Sequence, residues 1–218
     1  MTSHEPLDGV IKFGAEHQRR SLGSRQFAEM VASLQAWRHI FFRLNFIGQD
    51  PGRYDGAGFG NVSARIPPHT ATKGKRKFIV TGTQTGARPH LGLGDYCVVE
   101  SYDMRLNRVQ SYGDTMPSSE SMTHGAIYSA VESIRSVIHF HNRKIFDSML
   151  FDSDVPKTDK NIAYGTPQMA IAMDKIVRST GFNYGFFATA GHDEGVFAYG
   201  PSIDDTLGQA LALQRKYS

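Results

Sequence analysis

Residues 136–141 read Ser-Val-Ile-His-Phe-His. Successive side chains of a β-strand point to opposite faces, so as a strand this stretch sends Val137, His139 and His141 one way and Ile138 and Phe140 the other. The two imidazoles then sit about 6.5–7 Å apart at Cα on one face. That spacing lets both converge on one ion, with Zn–N distances of roughly 2.0–2.1 Å. It also fits a pair of hydrogen-bonded histidines near a strand end. A catalytic zinc needs a third protein ligand and an open position. Candidates are His124, on the helix of Glu120, and His192, in Ala-Gly-His-Asp-Glu-Gly at 190–195. His17, His39, His69 and His90 have helix-surface or loop neighbours and read as structural.

On the N-terminal side, Ser118-Ser119 opens a helix that carries Met122, Ile127, Val131 and Ile134 inward. Two hydroxyls at a helix start, beside free backbone N–H groups, suit an anion; they equally suit plain N-capping, and Glu120 in the first turn is favoured by the helix dipole alone. Further upstream, Phe27, Met30, Val31, Leu34, Trp37, Phe41 and Leu44 recur at spacings of three and four from Ser24 to Gly48, a helix. Strands are expected at Asn61–Ile66, Phe78–Val80, Tyr96–Tyr102 and from Val109 onward. Downstream, Gly185–Tyr199 is strand-like. Thr166-Pro167 starts a helix that stops at Gly181, and Ser202, three before Asp205, starts another with Leu207, Ala210 and Leu211 inward. The sum is an α/β or α+β fold, a sheet covered by helices, in one domain over 24–218 behind an N-terminal arm at 1–23. The basic run Lys73, Lys75, Arg76, Lys77 reads as a solvated loop.

The 218 residues carry 24 Lys and Arg against 21 Asp and Glu, a net charge of +3. That field is too weak for nucleic-acid binding to follow from a pI near 9.0. Cys97 stands alone, so neither a disulfide framework nor a paired-cysteine zinc knuckle is available. No apolar run approaches the ~18 residues of a membrane span, and the first residues lack the basic-then-apolar pattern of a secretory signal. These features point to a cytoplasmic enzyme-sized domain with neither a nucleic-acid nor a membrane partner.

Two glycine-rich strings remain, Gly-Phe-Gly-Asn-Val-Ser-Ala-Arg at 58–65 and Val-Thr-Gly-Thr-Gln-Thr-Gly at 80–86. Both let backbone N–H groups approach an oxyanion. Neither fits the P-loop or the dinucleotide fingerprint, and the chain has no serine-hydrolase elbow. In order, GNVSAR, VTGTQTG, PSSE, HFH, GTPQMA and a histidine-bearing strand turn, the chain resembles the class II aldolase/adducin family, and within it the fuculose-phosphate aldolases, from about Phe27 to Leu213.

The resemblance implies a three-layer αβα fold with a central, mostly antiparallel sheet. It implies one Zn²⁺ per subunit and a homotetramer with active sites at subunit interfaces. By position, His139 and His141 match the paired zinc ligands and His192 the third, although Asp193-Glu194 follows it where the family has glycine. The two acids either brace the imidazole or mark a reshaped loop. Glu120 matches the proton-abstracting carboxylate. Asn61, Ser118, Ser119, Thr85 and Gly86 match the phosphate-binding positions, with Thr81-Gly82 an alternative to the last two. Tyr164 ends the segment where the family carries a catalytic tyrosine, without matching that role, and no residue is matched to the general acid. The implied reaction is zinc-dependent cleavage of a small ketose 1-phosphate, the sugar-phosphate substrate, to dihydroxyacetone phosphate and an aldehyde. A zinc-dependent dehydratase or decarboxylase, or a non-catalytic adducin-like module, is the alternative. An epimerase fits less well, because its motif carries aspartate where this chain has Glu120.

Overall fold

The structure, a computed structural model, describes residues 10–217; the first nine residues of the expected arm lie outside them. Eight strands form one sheet: β1 (Gly14–Arg19), β4 (Asn61–Arg65), β5 (Phe78–Thr81), β6 (Tyr96–Asp103), β7 (Arg108–Gly113), β8 (Ser136–His141), β9 (Gly185–Ala188) and β10 (Gly195–Gly200). Their spatial order is β1-β7-β6-β5-β4-β8-β10-β9. Every pairing is antiparallel except β1 with β7. Two-residue strands β2 (Gly48–Gln49) and β3 (Gly58–Phe59) pair apart from the main sheet.

Five helices cover its two faces. Helices α1 (Arg25–Arg43), α3 (Arg143–Phe151) and α5 (Ile203–Tyr217) share a core with Ile138 and Phe140 of β8. There Phe46 stacks on Phe140 at 4.9 Å between ring centroids, with Phe41 alongside. Helices α2 (Ser121–Ala130) and α4 (Pro167–Thr180) share the other core with Val137. The alternation expected of β8 is therefore present, and its histidine side faces α2 and α4. All ten residues of α2 are buried. It lies so close to β6 that a Cβ on Gly125 would come within 2.7 Å of the Tyr102 ring, a position open only to a residue without a side chain.

Local chemistry accounts for the ends of most helices. The Ser24 side chain accepts from Phe27 N–H, and Thr166 accepts from Met169 N–H with Pro167 behind it. Gly181, at φ +70°, closes α4 in the left-handed region, where glycine is at no disadvantage. Ser202 Oγ accepts from Asp205 N–H at 3.0 Å. No helix of the described residues is long and apolar enough to cross a membrane.

The structure departs from the sequence reading in five places. Residues 14–19, read within the arm, are an edge strand; their side chains are almost all exposed, so no apolar period marks them. Helix α3 occupies part of the 141–165 segment, where no helix was expected; Asn142 caps it by accepting from Ile145 N–H at 2.9 Å. Helix α1 ends at Arg43 rather than running to Gly48, because Asn45 turns left-handed at φ 57°. Helix α2 starts at Ser121, with Glu120 at the cap position, and ends before Val131 and Ile134. Arg76 is buried rather than solvated, and its guanidinium donates to Tyr128 O near the end of α2.

Candidate functional site

Register builds the site. Across the sheet Asn61 of β4 lies opposite His139 of β8, which lies opposite Phe197 of β10. Directly opposed residues share a face, and the His139 ring accordingly stacks on Phe197 at 4.4 Å. His141 pairs with Gly195, so the loop between β9 and β10 closes over the end of β8 and carries His192 there. That loop is tight: His192 N–H donates to Thr189 O at 2.8 Å and Gly195 N–H to His192 O at 3.0 Å.

His139, His141 and His192 are all buried and bring one ring nitrogen each to within 4.8 Å of the others. The Nε2 atoms of His139 and His141 are 3.1 Å apart. Two ligands about 2.0–2.1 Å from one ion at a tetrahedral angle stand roughly 3.3 Å apart, so little movement separates this arrangement from a shared cation. Burial, followed by the neighbouring imidazoles, holds His139 well below the usual histidine range, and the neutral form is the one that ligates. Asn61 adds a second sign of fit. Its Nδ2 is 3.4 Å from His139 Nδ1, while its buried Oδ1 meets no donor among the described residues. Turning the amide over places Oδ1 on a protonated His139 Nδ1, which leaves Nε2 free to bind. Three imidazoles, buried and convergent, fit a divalent metal.

Of the two candidates for the third position, only His192 joins this cluster. The His124 Nδ1 is 2.6 Å from the Ser63 hydroxyl, which also meets Tyr128, and burial pushes its pKa down to about 3. It is a packed core histidine. Among the histidines read as structural, His17 bonds Ser111 and Gly113 on the edge of the sheet, and His39 stacks on His90.

Glu120 stands at the start of α2, 2% exposed. Its Oε1 lies 3.2 Å from His192 Nδ1, and its Oε2 accepts the Thr123 hydroxyl proton. Beside it a small polar cavity is lined by Gly58, Gly60, Asn61, Ser118, Ser119 and the 82–86 loop, so Thr85 and Gly86 take part in it. Thr81 does not: its hydroxyl accepts from Val62 N–H within the sheet. The loop is tied down by Gly82 bridging to Pro117 and by Thr83 N–H donating to Met116 O.

Sequence reasoning missed one anchor of this loop. Arg38 of α1 is buried, and its guanidinium donates to Arg88 O at 2.7 Å and Thr85 O at 2.8 Å. The signal was present: Arg38 falls in step with Val31, Leu34 and Phe41 on the buried face of α1, a charge where the period calls for an apolar side chain.

Packing behind the cavity is equally close. A Cβ on Gly86 would lie 2.1 Å from Gly48 O and 2.8 Å from Gly58 Cα, both backbone atoms that cannot swing aside. Gly86→Ala is therefore expected to destabilise the fold by about 1–3 kcal/mol through overpacking, read as a lower urea midpoint. An unchanged midpoint would show that this loop is not packed as described.

On the far side of His192 a second cavity, of about 650 Å³, is bordered by Arg53, Tyr54, Arg143, Tyr164 and the 190–194 loop. Asp193 and Glu194 turn away from the imidazole toward two arginines. Arg143 pairs with both acids, and Arg53 pairs with Glu194. Tyr164 lies against His192, ring centroids 4.6 Å apart, and its hydroxyl donates to Val10 O at 3.0 Å.

The profile of the class II aldolase and adducin N-terminal domain matches residues 52–217. Among solved structures, the chain is similar to L-fuculose-1-phosphate aldolase from Thermus thermophilus, at 20% identity and a TM-score of 0.57 over 87% of this chain and 89% of that one. It is similar to a sugar-phosphate aldolase from Thermotoga maritima, at 13% identity and a TM-score of 0.57 over 86% and 91%. It is also similar to YgbL from Klebsiella pneumoniae, for which aldolase, epimerase and decarboxylase are named as candidate activities, at 17% identity and a TM-score of 0.62 over 89% of each chain. No curated protein sequence matches significantly. At these identities the structural likeness speaks for the fold, a large, mostly antiparallel sheet between helical layers. With the profile spanning more than half of the residues, the chain belongs to the class II aldolase/adducin family.

Proposed function

We propose that this chain is a zinc-dependent aldolase that cleaves a small ketose 1-phosphate to dihydroxyacetone phosphate and an aldehyde. The observation that carries the reading is the position of Asn61, which touches His139 of the histidine cluster and lines the Gly/Ser/Thr cavity at once. A cation site and an anion site are thereby adjacent, as a short phosphorylated ketose requires. His139, His141 and His192 would hold the metal. When bound, zinc supplies Lewis acidity toward the carbonyl and hydroxyl oxygens of the substrate.

The protein's own groups do the rest. Asn61, Thr85, Gly86, Ser118 and Ser119 hold the phosphate, and binding energy remote from the reacting carbons fixes their position. Glu120, held by Thr123 and His192, accepts the proton from the hydroxymethyl carbon of dihydroxyacetone phosphate in the synthetic direction. The two tyrosines beside the cluster are engaged otherwise, Tyr54 with His141 and Tyr164 with Val10. The reading takes the active form as a homotetramer and assigns neither tyrosine as the acid for the aldehyde oxygen.

The test is proton exchange. Dihydroxyacetone phosphate is incubated with the zinc-loaded protein in D₂O and followed by NMR, with and without chelator. Stereospecific, chelator-sensitive loss of one hydroxymethyl proton is expected. A zinc-loaded protein that exchanges nothing would sink the aldolase and leave the dehydratase or decarboxylase. A protein with neither exchange nor bound zinc would be an interaction module.

A further inference from the structure

The cavity of about 650 Å³ beyond His192 is bordered by more cations than acids. Lys12, Arg53, Arg143 and Lys160 line it together with Asp193 and Glu194. Arg53 pairs with Glu194, and Arg143 pairs with Asp193 and Glu194, so the arginines take up both acids. Lys12 and Lys160 have no acid partner among the described residues. A cleft whose unbalanced charges share one sign draws in ligands of the other.

Lys12 is built into this cavity. Its backbone is fixed from two sides: Asn107 Nδ2 donates to Lys12 O at 3.1 Å and to Gly165 O at 3.3 Å, and the Tyr164 hydroxyl donates to Val10 O at 3.0 Å. Its stem runs over Gly165, at φ +73°, where a Cβ would come within 2.9 Å of Lys12 Cβ and 2.8 Å of its Cδ. Only a residue without a side chain leaves that path open. The ammonium stands 5.0 Å from the centroid of the Tyr164 ring, within cation–π range. That ring in turn lies 4.6 Å from the ring of His192. One aromatic ring therefore links a held cation to the histidine cluster. A cation already fixed in place loses less freedom when it takes a ligand.

The cluster lies between two cavities. Asn61 joins it to the Gly/Ser/Thr cavity assigned to the phosphate, and His192 borders the larger one. A substrate with its phosphate in the first and its carbonyl at the cluster sends its remaining carbons into the second. We propose that these carbons, which leave as the aldehyde, end in an anionic group, a carboxylate or a phosphate, and that Lys12 together with Lys160 binds it and sets the specificity for it. The inference rests on the aldolase reading and names the class of its second product. A lysine ammonium is a point charge that either anion satisfies. Tyr164 gains a task here, since the ring that flanks His192 seats the ammonium.

The experiment runs the synthetic direction with zinc-loaded protein, dihydroxyacetone phosphate and matched aldehydes: succinate semialdehyde against butanal, and glyceraldehyde 3-phosphate against glyceraldehyde. The wild type should favour the anionic member of at least one pair in kcat/KM by about tenfold or more, the size of one charge-assisted hydrogen bond. The preferred pair tells carboxylate from phosphate, and preference in both assigns the charge alone. Rising salt should shrink the preference. Lys12→Met should bring the ratio of anionic to neutral kcat/KM close to one, mainly through KM, and Lys12→Arg should retain it. Should circular dichroism show that Lys12→Met does not fold, Lys160→Met and the salt dependence of the wild type carry the test. No preference in either pair, or a preference that Lys12→Met (or its substitute) leaves intact, would overturn the inference while the aldolase reading stands. A zinc-loaded wild type that exchanges no proton of dihydroxyacetone phosphate would overturn the aldolase reading and this inference with it.

Discussion

His139→Ala is expected to yield a folded protein that retains little zinc after dialysis, and whose melting temperature no longer responds to chelator. In the wild type a metal that binds only the native state adds stability by mass action, about 2.7 kcal/mol at one hundred times its dissociation constant. Chelator should therefore lower the wild-type melting temperature by several degrees. Removing His139 deletes one of the three imidazoles of the cluster, whose Nε2 stands 3.1 Å from that of His141, and two buried donors are a poor zinc site. The substitution also leaves a void against Phe197, since the ring stacks there at 4.4 Å, so some stability is lost whatever binds. Chelator dependence separates the two effects: the packing loss appears with or without metal, and the linkage loss only with it. Undiminished zinc in a folded His139→Ala protein would mean that His141 and His192 do not share their ion with His139.

How far the sequence reaches can be seen from which residues announced themselves. The alternation in 136–141 places His139 and His141 on one face with no knowledge of the rest of the chain, because strand geometry is local. The caps at Ser24, Thr166 and Gly181 are local for the same reason, and each bonds as its chemistry requires. The edge strand β1 left no trace, because its only constraint is a ladder to β7 and its side chains face water. The choice between His124 and His192 was likewise out of reach. It depends in one case on a register that sets His141 opposite Gly195, 54 residues downstream, and in the other on a helix packed against Ser63, neither of which a spacing reports. Family resemblance resolved it in favour of His192, and the geometry gathers that residue with the pair. Nothing in the glycine-rich string at 51–60 marked Tyr54 as a partner of His141, since the contact joins residues 87 apart in sequence. Arg38 is the intermediate case, visible as a charge in an apolar stripe but meaningful only once the 85–89 loop is seen beneath it.

Glu120→Gln should remove turnover while leaving both the fold and the metal in place. The side chain is 2% exposed and within 3.2 Å of His192, so a larger change would disturb packing and obscure the chemistry. Glutamine is isosteric, and its carbonyl oxygen still accepts the Thr123 hydroxyl proton that Glu120 takes through Oε2. The amide cannot accept a proton from carbon, however, and loss of a general base lowers rates by about 10²–10⁴-fold. Exchange of the hydroxymethyl proton of dihydroxyacetone phosphate should fall by that factor, with zinc content and urea midpoint close to wild type. The combination is diagnostic, because a merely structural Glu120, placed at the head of α2 to complement the helix dipole, would show the reverse: a midpoint shift of a few tenths to 1 kcal/mol with exchange retained. Full exchange in a zinc-loaded Glu120→Gln protein would remove the carboxylate from the mechanism. Lost exchange together with lost zinc would instead make Glu120 part of what holds the metal, an arrangement that its contact with His192 also permits.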